Sequence, residues 1–170
     1  DGAAANDMSI SAVVSGAFNL TKNGTGTMVL SGANTYTGAT TVSAGVLNIR
    51  NNTGLGTTAA GTTVASGATL QLQTSFTVGT ETLNLSGNGA SGQNGALLNV
   101  SGTNTYGGLL ALGAASTISS DSGTLNLTNA GTITGATFGL TFTGAGDGSI
   151  SRIIVTTRAR VTKSGTGTWT

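Results

Sequence analysis

The sequence predicts an all-β chain folded as a right-handed parallel β-helix, a β-solenoid of roughly 7 coils of about 23 residues each. Three observations lead there. The phrase Lys22-Asn-Gly-Thr-Gly-Thr27 returns as Lys163-Ser-Gly-Thr-Gly-Thr168, an offset of 141 residues. Apolar residues come in short runs that alternate with Asn, Gln, Thr or Gly. The composition is rich in Thr and Gly, at 33 and 29 of 170 residues, with no Pro and only 6% charged residues.

The repeat extends beyond that phrase. Asp7-Met-Ser-Ile-Ser11 reappears as Asp147-Gly-Ser-Ile-Ser151 at an offset of 140, so 7–22 is echoed by 147–163 with one inserted residue. A half-repeat lies inside, because 30–38 (Leu30-Ser-Gly-Ala-Asn-Thr-Tyr-Thr-Gly38) is echoed by 100–108 (Val100-Ser-Gly-Thr-Asn-Thr-Tyr-Gly-Gly108) at an offset of 70. Seventy residues divide into three coils of about 23. Residues 1–170 therefore read as a single β-solenoid segment of a longer tandem array. Many short strands also suit a sandwich or a barrel, but neither needs the same phrase at fixed offsets. A solenoid places equivalent positions of successive coils about 4.8 Å apart.

The strands follow in order: Ser9–Val14, Thr27–Leu30, Val46–Ile49, Ala68–Leu72, Thr82–Leu85, Ala96–Val100, Thr124–Leu127 and Phe138–Phe142. In most of them a Leu, Ile, Val or Phe alternates with a small or polar residue, the period of a strand with one buried face. Thr and Val favour such extended backbone because a branched β-carbon packs well on a pleated surface. The segments between, such as Ser86–Gly95, are Gly, Asn and Ser, which accept the positive φ angles of tight corners. Pro is absent, as it should be where every coil donates backbone N–H groups to its neighbour. Uncharged Asn, Thr and Ser suit positions stacked so closely, since like charges would repel and stacked amides share hydrogen bonds.

Residues 20–47, Leu20-Thr-Lys-Asn-Gly-Thr-Gly-Thr-Met-Val-Leu-Ser-Gly-Ala-Asn-Thr-Tyr-Thr-Gly-Ala-Thr-Thr-Val-Ser-Ala-Gly-Val-Leu47, resemble the autotransporter-associated β-strand repeat, also called the passenger-associated transport repeat. Val161-Thr-Lys-Ser-Gly-Thr-Gly-Thr-Trp-Thr170 resembles the opening of another copy. The resemblance implies a secreted or surface-displayed bacterial passenger with a right-handed β-helix, in some cases attached to an outer-membrane barrel. It brings no catalytic residues. A right-handed hand also follows from the general preference of parallel crossovers.

With no His and no Cys, the chain holds no Ser-His-Asp or Cys-His set and no ordinary zinc site. No catalytic, cofactor-binding or metal-ligating residue is assigned, and the chain is read as a non-enzyme. Five acids are present, Asp1, Asp7, Glu81, Asp121 and Asp147. Asp121 and Asp147 are 26 residues apart, about one coil, so stacking on one face would give the carboxylate pair a glycosidase needs. Solvated corners are the simpler reading. Arg152, Arg158, Arg160 and Lys163 fall within twelve positions, a patch that would suit an acidic polysaccharide or simply guard a strand edge.

Gly144-Ala-Gly-Asp-Gly148 lacks the third Gly of a dinucleotide loop, and Lys163 precedes its Gly run where a phosphate loop needs it after. Both read as turns. Sequons such as Asn84-Leu-Ser86 read as strand pattern. Tyr36 and Tyr106, equivalent in the two halves, are expected to pack over Gly-rich corners rather than stand out for stacking on sugars. Asn34 and Asn104 are expected to be buried or semi-buried corner residues whose amides satisfy turn backbone.

A net charge of +1 points away from nucleic acid, and the apolar run Leu109–Ala115 is too short to insert into a membrane. The sequence thus leads to an extracellular stalk, spacer or fibre body without cofactors. Its partners would be homotypic, by end-to-end stacking or lateral self-association, or an extracellular polysaccharide. The alternative is an adhesin or self-association module using a solenoid face.

Overall fold

A computed structural model describes residues 6–129, 131–135, 137–151, 153–155 and 159–170. Among them there is no helix, and every strand pairing is parallel. The strands, numbered β1 to β18 in chain order, wind around three faces. The first face carries β2 (Leu20–Lys22), β4 (Thr40–Val42), β6 (Thr62–Val64), β9 (Leu83–Gly87), the start of β12 (Leu110–Ser120), β14 (Ile133–Thr134) and β17 (Ile154–Val155). The second carries β1 (Met8–Ile10), β3 (Thr27–Leu30), β5 (Gly45–Ile49), β7 (Ala68–Gln73), β10 (Leu97–Ser101), the end of β12, β15 (Leu140–Thr143) and β18 (Val161–Lys163). The third is a four-stranded sheet of β8 (Thr77–Val78), β11 (Thr103–Tyr106), β13 (Thr124–Leu127) and β16 (Asp147–Ile150). The long strand β12 rounds a corner, with a register shift between Leu112 and Ser116, and so joins the first two faces into one 14-stranded sheet. The result is a β-solenoid of about 7 turns, about 22 residues apart.

Register puts like on like inside. On the second face Met28, Leu47, Leu70, Leu97, Ile118 and Phe142 form one inward column, each directly above the last. Leu30, Ile49 and Leu72 form a second column beside it, and all three are fully buried. On the first face Val42, Val64, Leu85 and Leu112 do the same. Each such Leu or Val removed from water contributes about 1.5–3 kcal/mol, and the stacking makes that core continuous from coil to coil.

Two details of the stacking emerge. The polar ladder is heterogeneous: Arg50 Nε donates to Asn48 Oδ1, Asn48 Nδ2 to Gln71 Oε1 and Gln71 Nε2 to Gln93 Oε1, at 2.9, 2.7 and 2.6 Å. Threonines do fall in line, as in Thr117, Thr141 and Thr162, whereas the amides hydrogen-bond to unlike neighbours. The two copies of the Lys phrase fall in different columns. Lys22 heads the first-face column of Val42 and Val64, whereas Lys163 ends the second-face column that contains Met28, six coils below it. A shift of 141 residues is six coils plus one face.

The corners are where coils come closest. Gly144 has φ +104°, and a Cβ there would collide with the Ser120 carbonyl, while one on Gly123 would collide with the carbonyl of Gly102. Gly144→Ala is expected to lower stability by at least 2 kcal/mol, since backbone must shift and the left-handed strain adds to it. Gly92, also at positive φ but with no atom near its Cβ position, is the control. Gly92→Ala should cost only about 1–2 kcal/mol, and urea denaturation of the two variants measures the difference.

Candidate functional site

The residues that carry most polar contacts sit at corners. Lys22 ends β2 on the buried side, and its Nζ donates to the carbonyls of Asn23, Gly24 and Ala44 at 2.9, 2.7 and 3.2 Å. The ammonium closes its own turn and ties it to the next coil. Burial lowers its pKa, against a raising contribution from the Asp7 charge. Asp7 belongs to the same corner, where Thr27 N donates to its Oδ2 at 2.7 Å.

The second copy repeats these contacts on another face: Lys163 Nζ donates to the Ser164 and Gly165 carbonyls at 2.9 and 3.0 Å, and Thr168 N to Asp147 Oδ1 at 2.8 Å. The phrase therefore encodes a corner. Its Lys caps the turn and an Asp one coil below receives the strand that leaves it.

Asn34 and Asn104 do what their position in the half-repeat suggests. Asn34 is 1% exposed; its Oδ1 accepts from Val14 N and its Nδ2 donates to the Gly54 carbonyl, both at 2.9 Å, so one side chain spans three coils. Asn104 is fully buried, accepting from Ser75 N and Phe76 N at 3.1 and 3.0 Å and donating to Asn99 Oδ1 and the Ser101 carbonyl at 2.6 and 2.9 Å. Those bonds hold Thr74 and Ser75 at φ 101° and 77°, a conformation costly for residues with a side chain.

Residues 20–49, which run from β2 through β5 and include the Lys22 corner and Asn34, match the family model described as the passenger-associated-transport-repeat. Over that stretch the chain is similar to the repeat. No curated protein and no solved structure matches the chain. Residues 20–49 supply one full coil together with the Lys22 and Asn34 clamps.

Outside the repeat, the carboxylate pair does not assemble. Asp121 and Asp147 lie on neighbouring coils but out of register, because Asp147 pairs with Thr124. Asp121 is tied to Asn94 Nδ2 and to Ser119 Oγ, which donates at 2.8 Å, and so pins the long corner Ser86–Gly95. Of the basic cluster, Arg160 and Lys163 are exposed on the last coil, and Arg152 and Arg158 lie outside the described residues, as does Asp1.

Both tyrosines are fully buried, so neither offers a ring for stacking on sugars. Tyr36 lies over Gly56, stacks on Phe18 with centroids 5.8 Å apart, and shares a 2.6 Å hydrogen bond with Thr40 Oγ1. The Tyr106 hydroxyl is buried with no partner.

Sequence reasoning missed Glu81. It is 3% exposed at the corner before β9, and Thr62 Oγ1 donates to its Oε1 at 2.9 Å. Burial pushes its carboxyl up to about 7, partly opposed by the Thr62 bond. A crevice of about 280 Å³ lined by Gly56, Thr57, Val78 and Gly79 reaches it. The available signal was the Thr40 and Thr62 pair: two hydroxyls on inward positions need polar partners. A second concavity, about 600 Å³, runs along the first face over Gly61, Thr63, Asn84, Ala111 and Thr134, with half-exposed Leu109 at its rim.

Three outcomes follow from these contacts. Asn104→Ala should cost about 2–4 kcal/mol, and Asn104→Asp should also destabilise because both donated bonds are lost. Tyr36→Phe should cost about 1 kcal/mol, whereas Tyr106→Phe should be neutral or stabilising, since it removes an unpaired buried hydroxyl. Glu81 is protonated in both states below its ordinary 4.5. Between there and about 7 the unfolded chain loses the proton that the folded chain keeps, so stability falls as pH rises. The loss should reach about 2 kcal/mol by pH 8, allowing for water in the crevice, and melts of Glu81→Gln should not show it.

Proposed function

We propose that this segment is a rigid, non-catalytic spacer in the passenger of a secreted or surface-displayed bacterial protein, a stalk or fibre body that sets reach. One observation carries the reading: the inward columns run without interruption from β3 to β15, and the polar side chains with most contacts tie coil to coil. The family of the repeat at residues 20–49 supports a passenger segment. No helix among the described residues is long and apolar enough to cross a membrane. Duplicating the segment within a displayed passenger should carry a distal epitope outward by roughly 30–35 Å, at about 4.8 Å per coil, without altering what the passenger binds. Distances from cryo-electron tomography test this, and an unchanged reach with altered binding would sink the spacer reading.

The groove on the first face favours a second role, adhesion to an uncharged glycan. Its walls bring hydroxyls and one amide to either side of an apolar rim, and no charged group lines it. Leu109→Asp should then abolish retention on neutral polysaccharide beads at an unchanged melting temperature. Retention equal to that of the parent chain would rule this role out.

A further inference from the structure

Glu81 sits mid-chain, and the coil beneath it explains why a crevice opens there. That coil has no strand on the third face: Asn51–Gly56 turns instead, with Gly54 N bonded to the Asn51 carbonyl and Gly56 N to the Thr53 carbonyl, both at 2.9 Å. One coil up the sheet begins with β8, whose Thr77 N donates to a side chain, Asn52 Oδ1, at 3.1 Å. The gap between these two coils is the crevice of about 280 Å³ that Glu81 lines.

Its walls sort by chemistry. Leu55, Gly56 and Val78 are buried and apolar, whereas Asn52, Thr58 and Thr77 stand exposed at the mouth. Of the roughly four acceptor positions of a carboxylate, the Thr62 hydroxyl takes one. The described cations are held elsewhere: Lys22 by the carbonyls of its corner, Arg50 by Asn48, Lys163 by its own turn, and Arg160 on the last coil. The ionisable groups that face Glu81 are the phenols of Tyr36 and Tyr106, both buried and both pushed up by a negative charge on it. Tyr106 comes closest to its backbone, since a Cβ on Gly108 would meet both the Glu81 carbonyl and the Tyr106 ring. Its hydroxyl has no hydrogen-bond partner. The site is a negative group in a narrow, partly apolar slot with hydroxyls at its entrance and no counter-charge.

We propose that this crevice binds a small ligand carrying a primary ammonium on an uncharged, hydroxylated body, an amino sugar with its amine free. The ammonium offers three N–H donors to the Glu81 carboxylate, Leu55 and Val78 take the carbon face of the ring, and Asn52, Thr58 and Thr77 meet its hydroxyls. At this volume the slot suits one ring rather than a chain of them. An ionised carboxylate buried without a counter-charge is costly, so the empty protein holds the proton on Glu81; a bound ammonium offsets that cost, and the proton leaves as the ligand enters. This site lies away from the first-face groove, and neither the spacer reading nor the neutral-glycan role depends on it.

Calorimetric titration of the 170-residue chain with glucosamine near pH 6.5 tests it, against glucose, N-acetylglucosamine, potassium chloride and Nα-acetyl-lysine amide. Glucosamine should bind at least about tenfold more tightly than each of the others. Binding should release most of one proton, read from the change of heat with buffer, and should weaken about five- to tenfold between pH 6.5 and 5.5 as Glu81 keeps its proton more firmly. Glu81→Gln should bring glucosamine down to the level of glucose, with no proton released and the far-ultraviolet spectrum unchanged. Gly79→Leu provides a second test that leaves the carboxyl in place: Gly79 lines the crevice, and the nearest atom to its Cβ position is Thr58 Cγ2 at 4.0 Å, so a larger side chain fits the fold but fills the slot. It should weaken binding at least about tenfold at an unchanged melting temperature. Glucosamine no tighter than glucose, binding without proton release, or binding that survives either variant overturns the proposal. Tighter binding of potassium or of the lysine amide overturns it too, making the occupant a bare cation or a peptide.

Discussion

The backbone hydrogen bond between one coil and the next is the constraint to which the rest of this molecule answers. It fixes the coil spacing at about 4.8 Å, and every side chain must live with a neighbour at that distance above and below. Apolar columns satisfy the condition at once, which is why Leu47, Leu70 and Leu97 lie in line. Charges do not satisfy it, so charged groups sit at corners or edges. Glu81, at the corner before β9, is buried beside Thr62 and keeps its proton up to about pH 7. Corners, where backbones pass even closer, leave no room for a β-carbon at positions such as Gly123 and Gly144.

Much of this was legible because the constraint leaves a mark with period two. All eight runs overlap a strand, and β3 and β13 coincide with their runs residue for residue. The first face was harder to read. Strands such as β2, β4 and β6 are three residues long, too short to show alternation, and two of them place Thr inward. Leu109–Ala115 looked like a plain apolar run because β12 bends around a corner, and its side chains change face on the way.

The corner residues were legible for a different reason. Asn34 and Asn104 recur because an amide both donates and accepts, which is what a turn with orphaned N–H and C=O groups requires. Their partners on the neighbouring coils could not be read, since each of those lies about 20 or more residues away along the chain. Glu81 escaped for the same reason, because a lone acid in a polar corner carries no pattern until the coil below it is in place.

The offset between the two Lys corners has a geometric consequence for any array written with this period. Six coils and one face amount to a screw operation of about a third of a turn about the long axis. Successive corners would climb such a rod as a helical stripe, returning to the same flank at every third copy. Whatever recognises that corner would then meet it from all sides of the rod.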